Sequence, residues 1–268
     1  MARITALNIY PVKSCRGIAL ERATLAATGF IHDRQWMIVR PNGRFITQRE
    51  EPRLALIEPS LGNAVLTLQM PNAAALTVPM DANAGALEVQ VWDDKCVAFD
   101  AGDAAAAWLE GILGKPYRLV RFDPAHKRPS SAKYTGDIEA LNQFSDGFAY
   151  LVISQGSLDD LNTRLPQPLP MNRFRPNIVL DGVPPYAEDT ATEFFSDGVR
   201  LRSAKLCARC VITTTDQSRG ERDGDEPLKT LRSYRFNRES RGIMFGQNVI
   251  LAEGAGRELR VGDELDIT

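Results

Sequence analysis

The sequence has no run of about 20 apolar residues, the length a helix needs to span a bilayer, and its opening Met-Ala-Arg-Ile-Thr leads into no apolar signal segment. A cytosolic protein is the expectation. It has no large excess of one charge: 32 Lys and Arg against 34 Asp and Glu leave a net charge of -2. That balance excludes a general affinity for nucleic acid or for anionic membrane. Cysteine and histidine are scarce, four and two in 268 residues. Irregularly spaced cysteines in a chain of this size point to reduced thiols and not to a disulfide framework. There is no G-x-x-x-x-G-K-[ST] loop, so nucleoside triphosphate binding is not implied. Internal repeats and low-complexity tracts are also missing.

What remains is an ordinary folded composition, 25% charged and 44% hydrophobic, far from that of a disordered chain. The length suits two modest domains, each able to bury a core. The first hundred residues read as short strands at near-regular spacing: 4–10, 19–25, 36–40, 44–47, 64–69, 75–78, 87–91 and 96–99. Pro41-Asn42-Gly43 lies between two of them, a strong hairpin signal. The period then changes. Asp103 is placed to cap an Ala-rich helix over 104–113 that Gly114 ends. A strand over 117–122 follows, and the polar, proline-bearing stretch 123–137 reads as a mobile loop or domain connection. A boundary near residue 120 divides a first domain, 1–120, from a second, 121–268.

The second half mixes strands and helices. Residues 148–153 form an apolar strand, and Ser157-Leu158-Asp159-Asp160 has capping-box spacing for a helix to about residue 165. A strand over 178–180 follows Phe174-Arg175-Pro176-Asn177. Glu226-Pro227 starts another short helix. The tail, 248–251 and 259–267, reads as closing barrel strands.

The most informative stretch is Cys207-Ala208-Arg209-Cys210. Residues 199–206 read as a strand and 211–215 are all β-branched, so both thiols sit at a strand junction or tight bend. A thioredoxin-type pair needs a helix N-terminus there instead. Structural zinc would need completion from Cys15, Cys96, His32 and His126, which have no recognisable spacing. Two cysteines packed as small hydrophobes remain an alternative at this point.

Anion-binding residues gather elsewhere. Tyr10-Pro11-Val12-Lys13-Ser14-Cys15-Arg16-Gly17 ends the first strand with an ammonium, a hydroxyl and a glycine, a set able to hold a phosphate. Most of the basic residues are Arg, suited to bidentate binding of phosphate and carboxylate. In isolation, Asp33-Arg34 reads as a surface ion pair. Arg175, flanked by Phe174 and Pro176, needs an anionic partner, either an internal carboxylate or a ligand.

Six ordered motifs carry a resemblance over nearly the whole chain: Tyr10-Pro11-Val12-Lys13-Ser14, His32-Asp33-Arg34-Gln35-Trp36, Gln48-Arg49-Glu50-Glu51-Pro52-Arg53-Leu54, Phe174-Arg175-Pro176-Asn177, Cys207-Ala208-Arg209-Cys210 and Glu226-Pro227-Leu228. The chain resembles MOSC-domain proteins with an N-terminal MOSC β-barrel domain, close to the mitochondrial amidoxime reducing component and bacterial reductases of N-hydroxylated compounds. The resemblance implies a β-rich α+β fold, an N-terminal β-barrel domain packed on a MOSC β-barrel domain with peripheral helices. It implies the molybdenum cofactor, molybdopterin with Mo, with Cys210 as the metal ligand and Cys207 structural. A soft thiolate suits a metal already held by dithiolene sulfurs. It assigns the cofactor's phosphate to Lys13, Ser14 and Arg34, with Arg175, Asn177 and Arg209 also lining it, and places Asp146 beside the metal to relay a proton or orient water. Read alone, Asp146-Gly147 is a turn before a strand.

The implied activity is reduction of amidoximes, hydroxylamines and N-hydroxylated bases, two electrons and two protons converting N–OH to N–H and water. No further cysteine cluster follows Cys210, so electrons are expected from a separate ferredoxin-, cytochrome b5- or flavin-type donor. The wider superfamily also carries a pyridoxal phosphate association. Gly147 and Phe148 stand where the mitochondrial relatives have small hydroxyl residues. A sulfur-transfer protein with a persulfide on Cys210, or a carrier of the cofactor, are the rival readings.

Overall fold

A computed structural model describes residues 1–268. Seven strands close into a barrel in the order Tyr150–Ser154, Ile178–Asp181, Ala2–Ile9, Glu264–Ile267, Glu193–Ser196, Val199–Arg209 and Gly242–Glu253, the last pairing back onto the first. Only Tyr150–Ser154 and Ile178–Asp181 run parallel, and the crossover between them holds the helix Gln155–Arg164. Alternation does the rest. In Ala2–Ile9 the residues Ala2, Ile4, Leu7 and Ile9 are buried while Arg3 and Thr5 face out, with one irregularity between Ile4 and Ala6 that keeps the apolar set inward. Phe194, Leu201, Val152, Ile178, Leu180 and Val249 complete this core.

A second β unit packs beside the barrel. Its four-stranded antiparallel sheet runs Trp36–Val39, Arg118–Phe122, Asp94–Asp100, Ala86–Val91, and a three-stranded sheet is built from Glu58–Leu61, Val65–Gln69 and Leu76–Pro79. With the helix Asp103–Leu113 they enclose Trp36, Ile38, Ile57, Leu66, Leu109 and Leu119. The chain is thus β-rich with few helices, none long and apolar enough to cross a membrane. Residue 120 lies within Arg118–Phe122, and the first strand, Ala2–Ile9, belongs to the barrel otherwise made from residues 150–267.

The Asn42-Gly43 turn forms, with Gly43 at φ 79 and Arg40 N bonded to Arg44 O at 2.8 Å. Several local expectations are corrected. Gly102, not Asp103, is the N-cap of the first helix; Asp103 lies in its first turn and binds Arg118 Nη2 at 3.0 Å, where a carboxylate also suits the helix dipole. Gly114 does end that helix, at φ 72. The second cap is Ser154, whose Oγ accepts from Ser157 N at 3.1 Å, so the helix opens at Gln155, before the expected box. Of the tail, Glu264–Ile267 joins the barrel while Glu258–Arg260 pairs with Arg22–Ala26. Residues 123–137 are more than a loose connection. They include the short helix Ala132–Thr135 and the buried Arg128.

The two longest strands, Val199–Arg209 and Gly242–Glu253, pair with an irregularity that sets the geometry of the cysteine segment. Leu206 faces Gln247 while Ala208 faces Met244, so the extra residue lies at 245–246 of the partner strand, where Gly246 has φ 83. A Cβ there would stand 2.6 Å from Ile153 Cγ1 and 3.0 Å from Val152 O. Only glycine fits this bulge. Gly246→Ala is expected to cost about 3 kcal/mol of stability by chemical denaturation. Gly114→Ala, at a φ of 72 with open space around it, should cost about 1 kcal/mol. Equal losses would remove the bulge from this account.

Candidate functional site

One cavity of about 380 Å³ opens where the second unit meets the barrel. Its wall includes Lys13, Ser14, Arg34, Asp146, Arg175, Asn177, Arg209 and Cys210, so all eight residues singled out in the sequence converge on one space. Cys207 is there as well. Sequence reasoning assigned no role to Arg49, Thr47, Trp92 and Thr213 on the same wall, although Arg49 lay within one of the six motifs.

The cysteines are placed by the end of the long strand. The chain leaves it at Arg209, and Val211–Thr214 is a 3-10 turn with Cys210 as its N-cap residue. The β-branched run therefore makes a bend and not a further long strand. Threonine explains it: Thr213 Oγ1 donates to Cys210 O and Thr214 Oγ1 to Val211 O, both at 2.9 Å, so the hydroxyls compete with a sheet ladder for the backbone. The two thiols face different cations. Arg209 Nη1 lies 3.0 Å from Cys207 Sγ, and Arg49 Nη2 lies 3.4 Å from Cys210 Sγ.

The anion-binding side chains are held by the loop after the first strand and by the entry to Ile178–Asp181. Tyr10 N donates to Asp33 Oδ1 at 2.7 Å, Arg34 N to Tyr10 O at 2.9 Å, and Lys13 N to Trp36 O at 2.8 Å. Asp33 is 3% exposed. Its bond to Arg34 is therefore internal, correcting the surface-pair reading. Arg34 and Arg175 lie against Tyr10, 4.4 and 4.2 Å from its ring centroid. Burial pushes the Tyr10 hydroxyl up to about 12, against the pull of those two cations, and pulls Arg175 down to about 10, still charged at neutral pH. Ser14, Arg34 and Arg175 all have left-handed backbone, at φ 68, 50 and 56. Such strain persists where the surroundings over-determine it.

Charge at the cavity does not balance. The ion pairs there are Lys13 with Asp146 and Arg34 with Asp33. Arg49, Arg175 and Arg209 have no carboxylate partner, and Arg209 Nε is buried without any acceptor. No carboxylate forms an ion pair with Arg175. Asn177 has a different part: its Oδ1 takes Arg34 Nη1 at 3.0 Å and Leu151 N at 3.2 Å, and its Nδ2 gives to Asn8 O at 3.1 Å. Its amide fixes Arg34 through Oδ1 and is anchored to the first strand through Nδ2.

Asp146 projects into the cavity, its side chain 61% exposed, from a segment held by Arg128. That guanidinium donates to Gln143 O, Ser145 O and Asp146 O at 2.9, 2.6 and 3.2 Å. The carboxylate accepts from Lys13 Nζ at 2.5 Å and from Trp92 Nε1 at 3.1 Å. Loss of hydration within the cavity would raise the Asp146 carboxyl; the Lys13 ammonium, helped by Arg49 and the indole, outweighs it and holds the group well below the usual range. Burial is also the largest influence on Lys13, whose ammonium is lowered despite Asp146. At neutral pH Asp146 is thus an acceptor, fitted to orient an N–H or a water and not to donate a proton.

With this geometry the class of protein is defined: a β-barrel whose strand-end thiols share a cationic cavity with a neighbouring β unit. Residues 1–116 match the MOSC N-terminal beta barrel domain and residues 140–266 the MOSC domain. Mitochondrial amidoxime-reducing component 1 is 35% identical in Mus musculus over 97% of this chain and 80% of its own, and 34% identical in Homo sapiens over 93% and 77%. Mitochondrial amidoxime reducing component 2 of Bos taurus is 33% identical over 87% and 72%. The chain belongs to the MOSC-domain family that contains these mitochondrial proteins.

Asp146→Asn should lower stability at pH 7 by about 1–2 kcal/mol through loss of the charge-assisted bond to buried Lys13. The folded carboxyl titrates lower than the unfolded one, so this stabilisation is present above about pH 4 and is lost progressively as pH falls below it. Parent and variant should keep their full separation down to about pH 4 and draw together only as pH falls through the depressed folded value of the Asp146 carboxyl. A difference that widened on acidification below about pH 4 would contradict the ion pair.

Proposed function

We propose that the protein reduces N-hydroxylated compounds with a molybdenum cofactor bound in this cavity. The observation that carries the reading is the coincidence, on one wall, of a thiol and three guanidiniums that lack carboxylate partners. A phosphorylated pterin supplies the missing negative charge, and the donor set fits it. Arg175 and the orphaned Nε of Arg209 need an acceptor, while Ser14 has given its carbonyl to Gln48 Nε2 at 2.7 Å and keeps its hydroxyl on the wall. Cys210 is the thiol offered to the metal. When bound, the cofactor supplies the two-electron chemistry that removes oxygen from an N–O bond. The relatives carry that activity in their name, amidoxime-reducing component.

The chain's own residues then have distinct tasks. Arg175, Arg209 and Ser14 hold the anion, with Arg34 and Lys13, each already paired with a carboxylate, bordering it. Arg49 faces Cys210 Sγ with a guanidinium N–H. Asp146 accepts a hydrogen bond from the substrate's N–H or from water and so fixes the N–O group in the cavity. Converting N–OH to N–H and water takes two electrons from a separate ferredoxin-, cytochrome b5- or flavin-type protein and two protons from solvent. We place the reaction in the cytoplasm, where these thiols stay reduced. A pyridoxal phosphate role would need a lysine free to form an imine. Lys13, the lysine on this wall, is bound to Asp146 and to Phe144 O at 2.7 Å.

Protein made with ample molybdate should contain stoichiometric molybdenum and pterin. Cys210→Ser should lose the metal, and Arg175→Ala should retain pterin roughly tenfold less well, the size of one lost charge-assisted bond. Metal analysis and fluorescence of the released, oxidised pterin read both. Absence of pterin and metal from the parent, with cyanolysable sulfur on Cys210, would replace this reading with sulfur transfer. Tight cofactor binding without turnover under any donor would make the protein a carrier.

A further inference from the structure

The second unit sends one aromatic side chain into the site. Trp92 lies at the turn between Ala86–Val91 and Asp94–Asp100, is 43% exposed, and has φ 56. A bulky residue in left-handed backbone is unfavourable, and an exposed indole gains little from burial in return. Its surroundings fix it nonetheless. The Phe45 ring stands edge-on at 5.3 Å, the Arg49 guanidinium lies 4.5 Å from the indole centroid, and Nε1 donates to Asp146 at 3.1 Å. Trp92 and Arg49 also border a second cavity of about 460 Å³, so the indole stands between it and the inner one.

A second aromatic ring follows Asp146 in the chain. Phe148 lines the inner cavity, half-buried, and the Tyr134 ring braces it edge-on at 6.0 Å. One ring is thus hydrogen-bonded to the orienting carboxylate and the other lies two residues along from it, each in edge-on contact with a further aromatic. Aromatic rings beside a fixed carboxylate acceptor favour a planar group that carries an N–H.

We propose that Trp92 and Phe148 form an aromatic platform that selects planar, conjugated N-hydroxylated substrates, such as aryl amidoximes and N-hydroxylated aromatic bases, over aliphatic ones. The inference rests on the reductase reading and names its substrate class. Trp92 contributes in two separable ways: its ring face stacks on the substrate, and its N–H positions Asp146. Phe148 contributes only a face.

The test compares benzamidoxime with acetamidoxime on the cofactor-loaded protein with a chemical electron donor. The quantity read is the ratio of their kcat/KM values. Trp92→Leu and Phe148→Ser should each lower that ratio about tenfold, the size of one aromatic stacking contact. Trp92→Phe keeps a ring but removes the N–H, so it should slow both substrates while leaving the ratio within about threefold of the parent. An unchanged ratio in Trp92→Leu, or an equal fall in Trp92→Phe and Trp92→Leu, would overturn the platform. Calorimetry with benzamidine and acetamidine, mimics of the two products, decides the same question without turnover. The parent should bind benzamidine more tightly, and Trp92→Leu should reduce the preference. If the parent reduces neither amidoxime but prefers benzamidine, the reductase reading fails and the platform stands. If it reduces both and binds both mimics equally, the platform fails alone.

Discussion

Three guanidiniums without carboxylate partners on the wall of one partly enclosed cavity are the constraint around which the site is built. Cations crowded together in a poorly solvated space repel one another and lose hydration, and only a compensating anion relieves both costs. Two such anions are internal. Asp33 answers Arg34, and Asp146 answers Lys13. Arg49, Arg175 and Arg209 have no such partner. The tyrosine between Arg34 and Arg175 makes this tolerable, since its ring face attracts both cations without consuming their donors.

The fold makes the arrangement possible by threading the chain between its two β units. The first strand lies in the barrel, and the residues directly after it, Tyr10 to Ser14, reach the second unit through Lys13 N and Trp36 O. Asn177, at the entry to a neighbouring barrel strand, clamps Arg34 and Asn8 to Leu151. Beside these, the bulge at Gly246 and the threonine-stabilised turn after Cys210 set where the two thiols face. Arg49 and Trp92 from the second unit then close the cavity over Cys210 and Asp146. Neither unit contains the site by itself.

Much of this was legible in the sequence, and the parts that were not share a physical cause. Strands with clean alternation, the Asn42-Gly43 turn and the helix stop at Gly114 are local signals and appear in the fold. The eight residues assigned by the resemblance meet in one cavity because each lies at the end of a strand or in a connection between strands. Helix starts were missed by a few residues, since Ser154 and Ser157 both look like caps until Ser154 Oγ is seen to hold the Ser157 N–H. Arg128 was read as part of a polar connection because burial of an arginine depends on distant carbonyls, here Gln143 O, Ser145 O and Asp146 O. Trp92 gave no signal at all. Its importance comes from contacts with Arg49, Phe45 and Asp146, which lie 43, 47 and 54 residues away (92 - 49, 92 - 45 and 146 - 92).

The most direct test of the account is a crystal structure of the protein loaded with cofactor, with anomalous scattering collected at the molybdenum edge. The account predicts a single molybdenum peak bonded to Cys210 Sγ, with the pterin phosphate among Ser14, Arg34 and Arg175. A metal bound at Cys207 instead, or a phosphate held away from these side chains, would contradict it.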